Sequence, residues 1–435
     1  MTAMSMYLAH LDRWVRERPQ VMLWGALCLF LVLGLYEING HPVSMEDGQT
    51  DNFWPLANHL LDGQGYTLCY PLYFPFCPQG DATPTAMREP LPTLLFAGAA
   101  AISGRSLWFA LHIQLLLGLA TVWLLHRFTL RLAGARAAAL ATLAWAAYLP
   151  FVMLHSQLSG DVTGTFMILL SAVVLQQAER TGALKHYLLA GATLGLAALS
   201  RSSMLLMALP WCAVAWRSAR GERMRPAIVR MVAIGATMAV VLAPWALRNH
   251  AVFGRWWLGT SMNGYNVFRM NYQVGTDEPL HYVDSFEADT MLHDLLARHP
   301  ELTGEENEAA MDKVYQAEGM AQIRKDPLKY LRLCGYRFFQ LFTNIGVKTT
   351  YGVELNTTDH VMLVQQLAYL ALAFTGIAWG FRAHWPWLLA IGVQVAGYTA
   401  LLAQGRYLTP VMPLLIAFAG LALDRLIGRT RSADR

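Results

Sequence analysis

The sequence predicts an all-α, polytopic membrane protein, and three observations predict it. Of its 435 residues, 55% are hydrophobic and only 14% charged, with a mean hydropathy of +0.34, whereas a soluble globular chain carries roughly 25% charged residues. Several apolar runs approach the roughly 20 residues that a helix rising about 1.5 Å per residue needs to cross the hydrocarbon. The basic residues, finally, gather in short segments between those runs. Such a pattern sets topology and gives no reason to expect nucleic acid as a partner, despite a net charge of +4.

Apolar segments are read in order at about 20–36, 106–126, 136–154, 161–178, 186–200, 202–216, 228–246, 361–380, 386–402 and 407–424, roughly ten spans. The first follows Arg13, Arg16 and Arg18 and does not end in a small-residue cleavage site, so it reads as a retained helix rather than a signal. One orientation places Arg127, Arg131 and Arg136, then Arg180 and Lys185, then Arg217 to Arg230, then Arg425 to Arg435 all in the cytoplasm, together with both termini. Pro90 to Ser103 is apolar but short, at about 14 residues. Counted as a crossing it would move Arg127, Arg131 and Arg136 outside, so it is laid on the membrane surface.

The outer face then holds residues 37–105, the turn from His155 to Gly160, and the long segment from Arg248 to His360. In the first stretch, Phe53, Leu56, Ala57, Leu60 and Leu61 recur at helical spacing between Asp51 and Asp62, as an interfacial amphipathic helix requires. Gly63 and Gly65 end it. The long segment is acidic in its middle and basic and aromatic from Lys325 to Phe342, and predicts a small cap on a surface helix. The organisation is therefore a membrane module at 1–246 including the first outer loop (37–105), a cap at 247–360, and C-terminal membrane helices with a tail at 361–435. Cys69 and Cys77 bracket a proline-rich loop on the outer face. In an oxidising periplasm a disulfide there would clamp the loop; the other reading is two unpaired thiols.

Ionisable groups close to a membrane are costly and usually have a task. The acidic ones on this face are Glu46, Asp47, Asp51 and Asp161; Asp51 and Asp161 also suit helix N-caps. The basic ones are Arg88, Arg201, Arg248, Arg269 and Arg406, each near a loop–span junction. Guanidinium forks match phosphate bidentately, while any single arginine there also suits interfacial snorkelling.

Five phrases, in order, resemble the GT-C superfamily of integral membrane glycosyltransferases, in the branch of the protein O-mannosyltransferases and the lipid A aminoarabinose transferase. They are Ala57, Leu60, Gly63, Gly65 and Tyr66 after an acidic residue; Arg88 to Pro90 opening a helix that ends at Gly104; Asp161 after the third span; APWALRNHAVFGRWWLGTSMNGYN at 243–266; and GRYLTPVMP at 405–413. One departure stands out. The register of the family's catalytic aspartate is held here by Gln49, with Asp47 and Asp51 two residues to either side.

The resemblance implies a GT-C-like bundle with periplasmic juxtamembrane helices, in a bacterial inner membrane. It implies transfer of one hexosyl or pentosyl unit from a polyprenyl-phosphate sugar to a lipid, glycan or protein acceptor of the cell envelope, on the periplasmic side, with inversion. The base falls to Asp51 or Asp47, with Asp161 beside it; Arg88, Arg406, Arg248 and Arg201 hold the donor phosphate; Glu46, Tyr66, Glu89, Asn249 and Tyr407 contact acceptor or sugar. Members of this branch need no cofactor or bound metal, although sister enzymes hold a divalent cation. Two alternatives stand beside this reading: a lipid-linked-glycan ligase, and a membrane transporter of a lipid-linked or anionic substrate.

Overall fold

The computed structural model describes residues 19–41, 51–77, 83–219, 224–343 (apart from 278, 282 and 284) and 354–433. Among these, five helices are long and apolar enough to cross a membrane, or six if a pair bent by 55° counts as one span. They include α1 (Pro19–Gly40), α4 (Leu107–Ala133), α7 (Gly160–Thr181) and α10 (Met224–Phe253). The bent pair is α5 (Ala135–Ala146) followed by α6 (Leu149–Val152) and a 3-10 turn to Ser156. Gln365 repairs the break: its amide donates to the Ala147 carbonyl at 2.7 Å and its carbonyl accepts from the Leu149 N–H at 3.0 Å. Backbone groups freed inside a membrane need such partners.

Every apolar segment read from the sequence falls on helix, but several share or shorten their helices. Residues 186–200 lie in the 17-residue α8 (Leu184–Ser200), and 202–216 begin as a 3-10 turn before α9 (Ala208–Ser218). Residues 361–380 and 386–402 fall in one 45-residue run, α15 (Thr357–Leu401), whose backbone leaves helical geometry at His384. Its first half packs Gly376 and Gly380 on Phe418 of α16 (Met412–Ala433), and its second half sets Trp387 on Trp211 and Tyr398 on Arg201. The run is therefore kinked at His384, and its two halves pack on different partners.

Small residues let these helices close up, as membrane packing demands. A side chain at Gly191 would meet the Ile234 carbonyl at 2.3 Å, and one at Gly195 would meet Val241, so α8 lies directly on α10. Between the spans, α2 (Phe53–Leu61) buries Phe53, Trp54, Leu56 and Ala57 against α3 (Pro90–Ser103). Gly63 and Gly65 follow at φ +74° and +79°, and Gly104 ends α3 at +66°.

A second core lies beyond the membrane bundle. The stretch read from the sequence as a cap holds four helices, α11 (Asn263–Asn271), α12 (Ser285–Arg298), α13 (Glu308–Lys325) and α14 (Pro327–Thr343). Its core joins Tyr265, Phe268, Leu295, Met311 and Tyr315 with Phe74 and Met87, which come from the first loop. Cys69 and Cys77 are joined in a disulfide, and the Tyr315 hydroxyl donates to the Tyr73 carbonyl at 2.8 Å inside the loop they close. The buried Glu308 carboxylate fastens the same junction, accepting from the Thr85 hydroxyl, the Ala86 N–H at 2.8 Å and the Ser261 hydroxyl at 2.6 Å. Glu308→Ala leaves those donors without a protein acceptor, each unsatisfied group costing about 1–3 kcal/mol. Thermal unfolding of the purified protein should fall by several degrees and proteolysis should open the segment at 83–88; an unchanged melting profile would show that the latch is not structural.

Candidate active site

The bundle and the cap enclose a cavity of about 590 Å³, and the polar side chains converge there. Asp51 ends the loop before α2. It and Asn52 take left-handed backbone conformations at φ +47° and +66°, a geometry that Asp and Asn tolerate better than other residues and that costs about 1–3 kcal/mol each. Arg88 holds the turn at two points, donating through Nε to the Asp51 carbonyl at 2.7 Å and through Nη2 to its carboxylate at 3.0 Å. Arg406 reaches the other carboxylate oxygen at 3.8 Å. Burial works to raise the Asp51 carboxyl, but the fields of Arg88, Arg406 and Arg201 and the Arg88 hydrogen bond outweigh it and hold the group below the usual carboxylate range.

Arg201 projects from the extended residue that ends α8. It pairs with Asp161, donates through Nε to the Tyr398 hydroxyl at 2.7 Å, and lies 4.5 Å from the Tyr407 ring centroid. Asp161 is 1% exposed and does not line the cavity. It also accepts from Ser159, the residue that caps α7. Neither carboxylate is thus a helix cap: Asn52 and Ser159 hold those places. Asp51 and Asp161 are both paired with guanidinium groups, and among the described residues no group of three His, Cys, Asp or Glu side chains could hold a metal ion.

The structure separates the residues singled out in the sequence. Asp51, Arg88, Arg201, Arg406, Glu89 and Tyr407 line the cavity. Glu89 is fixed there by the N–H and hydroxyl of Ser202, both at 2.7 Å. Arg248, Tyr66 and Asn249 do not line it. Arg248 donates to the carbonyls of Thr85 and Tyr66, and the Tyr66 hydroxyl donates to the carbonyls of Arg88 and Glu89, so these two brace the backbone behind Arg88, while Asn249 binds the Trp257 carbonyl and accepts from Arg248. Glu46 and Asp47 lie outside the described residues. Lining residues to which the sequence reading gave no role include Trp256, Trp257 and Asn266, which fall within the motif at 243–266, and Gln394 and Tyr398. The tryptophan pair beside a span end was a signal of the membrane interface; Gln394 and Tyr398 are hidden in an apolar run.

A second, apolar cavity of about 570 Å³ adjoins the first. Met238, Leu242, Ala246 and Leu247 of α10 line it, and Leu205, Trp256 and Leu258 border both.

Comparison with known proteins gives a family match over part of the chain and a likeness of fold. Residues 84–247 match the family described as dolichyl-phosphate-mannose-protein mannosyltransferase. No curated protein matches the whole sequence. Among solved structures, the archaeal oligosaccharyltransferase AglB from Archaeoglobus fulgidus, in complex with an inhibitory peptide and a dolichol-phosphate, superposes with a TM-score of 0.57 at 14% identity over 95% of this chain and 51% of its own. The Archaeoglobus fulgidus oligosaccharyltransferase tethered to an acceptor peptide gives 0.57, 15%, 96% and 50%. ArnT from Cupriavidus metallidurans bound to undecaprenyl phosphate gives 0.39, 14%, 94% and 78%. The chain spans about half the length of the oligosaccharyltransferase, and at these identities the likeness is one of fold. The chain has the fold of that oligosaccharyltransferase, an all-α architecture as the sequence predicts.

A buried ion pair such as Asp161–Arg201 is costly to break from one side, on the order of 3–5 kcal/mol, because the remaining charge stays unpaired. Asp161→Asn alone should lower the melting temperature more than Asp161→Asn combined with Arg201→Gln. A double variant as unstable as the sum of the single variants would show that the two groups are not coupled.

Proposed function

We propose that the protein is a glycosyltransferase that moves a single sugar from a polyprenyl-phosphate carrier to an acceptor of the cell envelope, on the face away from the cytoplasm, with inversion. The observation that carries this reading is Asp51 held among Arg88, Arg406 and Arg201 in a polar cavity that borders an apolar one. A polyprenyl-phosphate sugar has those two natures, an anionic head and a hydrocarbon tail, and α10 offers the tail a groove beside the arginines. The size of the polar cavity supports one sugar unit with its phosphate over a long glycan, which favours transfer of a monosaccharide over a ligase.

The reaction follows from the charges. An acceptor hydroxyl attacks the anomeric carbon from the side opposite the phosphate; the bond from that carbon to the phosphate oxygen breaks, and the oxygen keeps the electron pair. Arg88 and Arg406, with Arg201 behind them, neutralise the leaving phosphate, so no acid is needed. Asp51 takes the hydroxyl proton. A phosphate drawn to Arg88 and Arg406 competes with Asp51 for the same N–H groups, which relieves the pull on the carboxyl and restores its basicity. Asp161 acts one step back, orienting Arg201.

Two features support the side of the membrane. Arg131, Arg136, Arg217 and Arg425 make their contacts at the helix ends opposite the cavity, the arrangement of a positive inner face. The disulfide at Cys69 and Cys77 suits an oxidising compartment.

The test is transfer from a short-chain polyprenyl-phosphate sugar by purified protein. Asp51→Asn should reduce the rate about 10²–10⁴-fold, the usual share of a general base, while folding is retained. The base works ionised, so the rate falls as pH drops through its pKa; Arg406→Gln removes one depressing charge and should move the acid limb of kcat/KM to higher pH. Full activity in Asp51→Asn would sink the assignment.

A further inference from the structure

Four arginines line the polar cavity, and three are compensated. Arg88 and Arg406 face Asp51, and Arg201 faces Asp161. Arg269, on α11 in the cap, is different. It is 8% exposed, its Nη2 donates to the Val283 carbonyl at 2.8 Å, and its Nε has no hydrogen-bond partner among the described residues. No described carboxylate pairs with it. A buried guanidinium does not by itself require an anion. Arg337, 3% exposed, is satisfied by the carbonyls of Met270 and Ala400 and the side-chain oxygen of Asn271, and it does not line the cavity. Arg269 lines the cavity without that compensation, and a buried charge left so is expensive.

Its surroundings have the character of a binding wall. The Tyr265 hydroxyl lies against the same guanidinium and is itself without a well-aligned partner. Asn263 and Asn266, on the same helix, line the cavity beside it. Tyr70, Tyr73 and Tyr265 form a chain of rings with centroids 4.7 and 4.8 Å apart, linking this wall to the reaction centre. Tyr70 senses both ends: burial raises its phenol, and the charges of Arg88, Asp51 and Arg269 all act on it.

We infer that Arg269, with Tyr265 and Asn266, forms a second anion-binding subsite in the cavity, which receives a carboxylate or phosphate borne by the transferred sugar or by its acceptor and distinct from the carrier phosphate. The identity of that anion as part of a sugar-transfer substrate rests on the glycosyltransferase reading. A planar fork with a free Nε suits a two-oxygen anion better than a neutral hydroxyl.

The experiment uses full-length protein in lipid nanodiscs, with tryptophan fluorescence as the readout because Trp256 and Trp257 line the cavity. Undecaprenyl phosphate is first added to saturation to occupy the arginines around Asp51. Glucuronate, inorganic phosphate and glucose are then titrated separately. Glucuronate or phosphate should bind at least tenfold more tightly than glucose; preference for glucuronate marks a carboxylate carried on a sugar ring, and preference for phosphate marks a phosphate ester. Arg269→Gln should abolish the preference and leave undecaprenyl phosphate binding unchanged, and Arg269→Lys, which keeps the charge but not the fork, should retain part of it. Equal binding of all three probes by the unmutated protein, a comparison that needs no variant, overturns the subsite, as does a preference that survives in Arg269→Gln. Failure of undecaprenyl phosphate to bind at all overturns the glycosyltransferase reading first, and the subsite with it.

Discussion

The contact between Asp51 and Arg88 is the interaction on which the rest of the site depends. It joins the first loop to the start of α3 through both backbone and side chain, and it holds two consecutive left-handed residues in place. A free loop would leave that conformation; here the guanidinium fork secures it. The same fork sets the charge state of the carboxylate. Geometry and electrostatics are therefore one constraint, and a change in the occupancy of Arg88 alters both at once.

That constraint is only as firm as what stands behind Arg88, and the chain spends much of its polar chemistry there. Tyr66 caps the carbonyls of Arg88 and Glu89, Arg248 grips those of Thr85 and Tyr66, Glu308 binds the Thr85–Ala86 segment, and Ser202 fixes Glu89. These residues come from the first loop, α10, the cap and the α8–α9 junction. The cap is thus a part of the site's foundation: Phe74 and Met87 of the first loop are buried in its core. Precision of this kind is what the proposed sugar transfer demands, since small displacements of positioning groups cost rate steeply.

Much of this was legible in the sequence. Apolar length and arginine distribution marked the helical segments, and the short length of Pro90–Ser103 kept it from being counted as a span. Charge near the membrane also pointed to Asp51, Arg88, Arg201 and Arg406, which share the cavity. What the sequence left open has physical reasons. Arg248 carries the same chemistry and the same kind of position as Arg201, and only the fold decides that one braces a backbone while the other faces the cavity. Tyr66 and Asn249 were placed by their neighbours in motifs, but a hydroxyl or an amide serves a carbonyl as readily as a sugar. Gln394 and Tyr398 were invisible because polar groups inside an apolar run show no periodicity of their own. The kink at His384 was legible as a boundary between two apolar segments, although the helix is continuous to either side.

The charge balance of the cavity links these points. Arginine side chains crowded in a small space repel one another, and the chain compensates them unequally: Asp51 serves two, Asp161 serves one, and Arg269 is left to a carbonyl. Asp161 is sealed away and cannot leave Arg201, so that cation keeps a fixed position under Tyr407 and Tyr398. Asp51 is partly open to the cavity and shares its partners at longer range, so its arginines remain available to an incoming anion. The difference between a sealed pair and an open one separates scaffold from chemistry in a site where every charged group is of the same two kinds. Asp51 stands in a strained turn outside the helices, where it meets two arginines from separate segments and still faces the space between them.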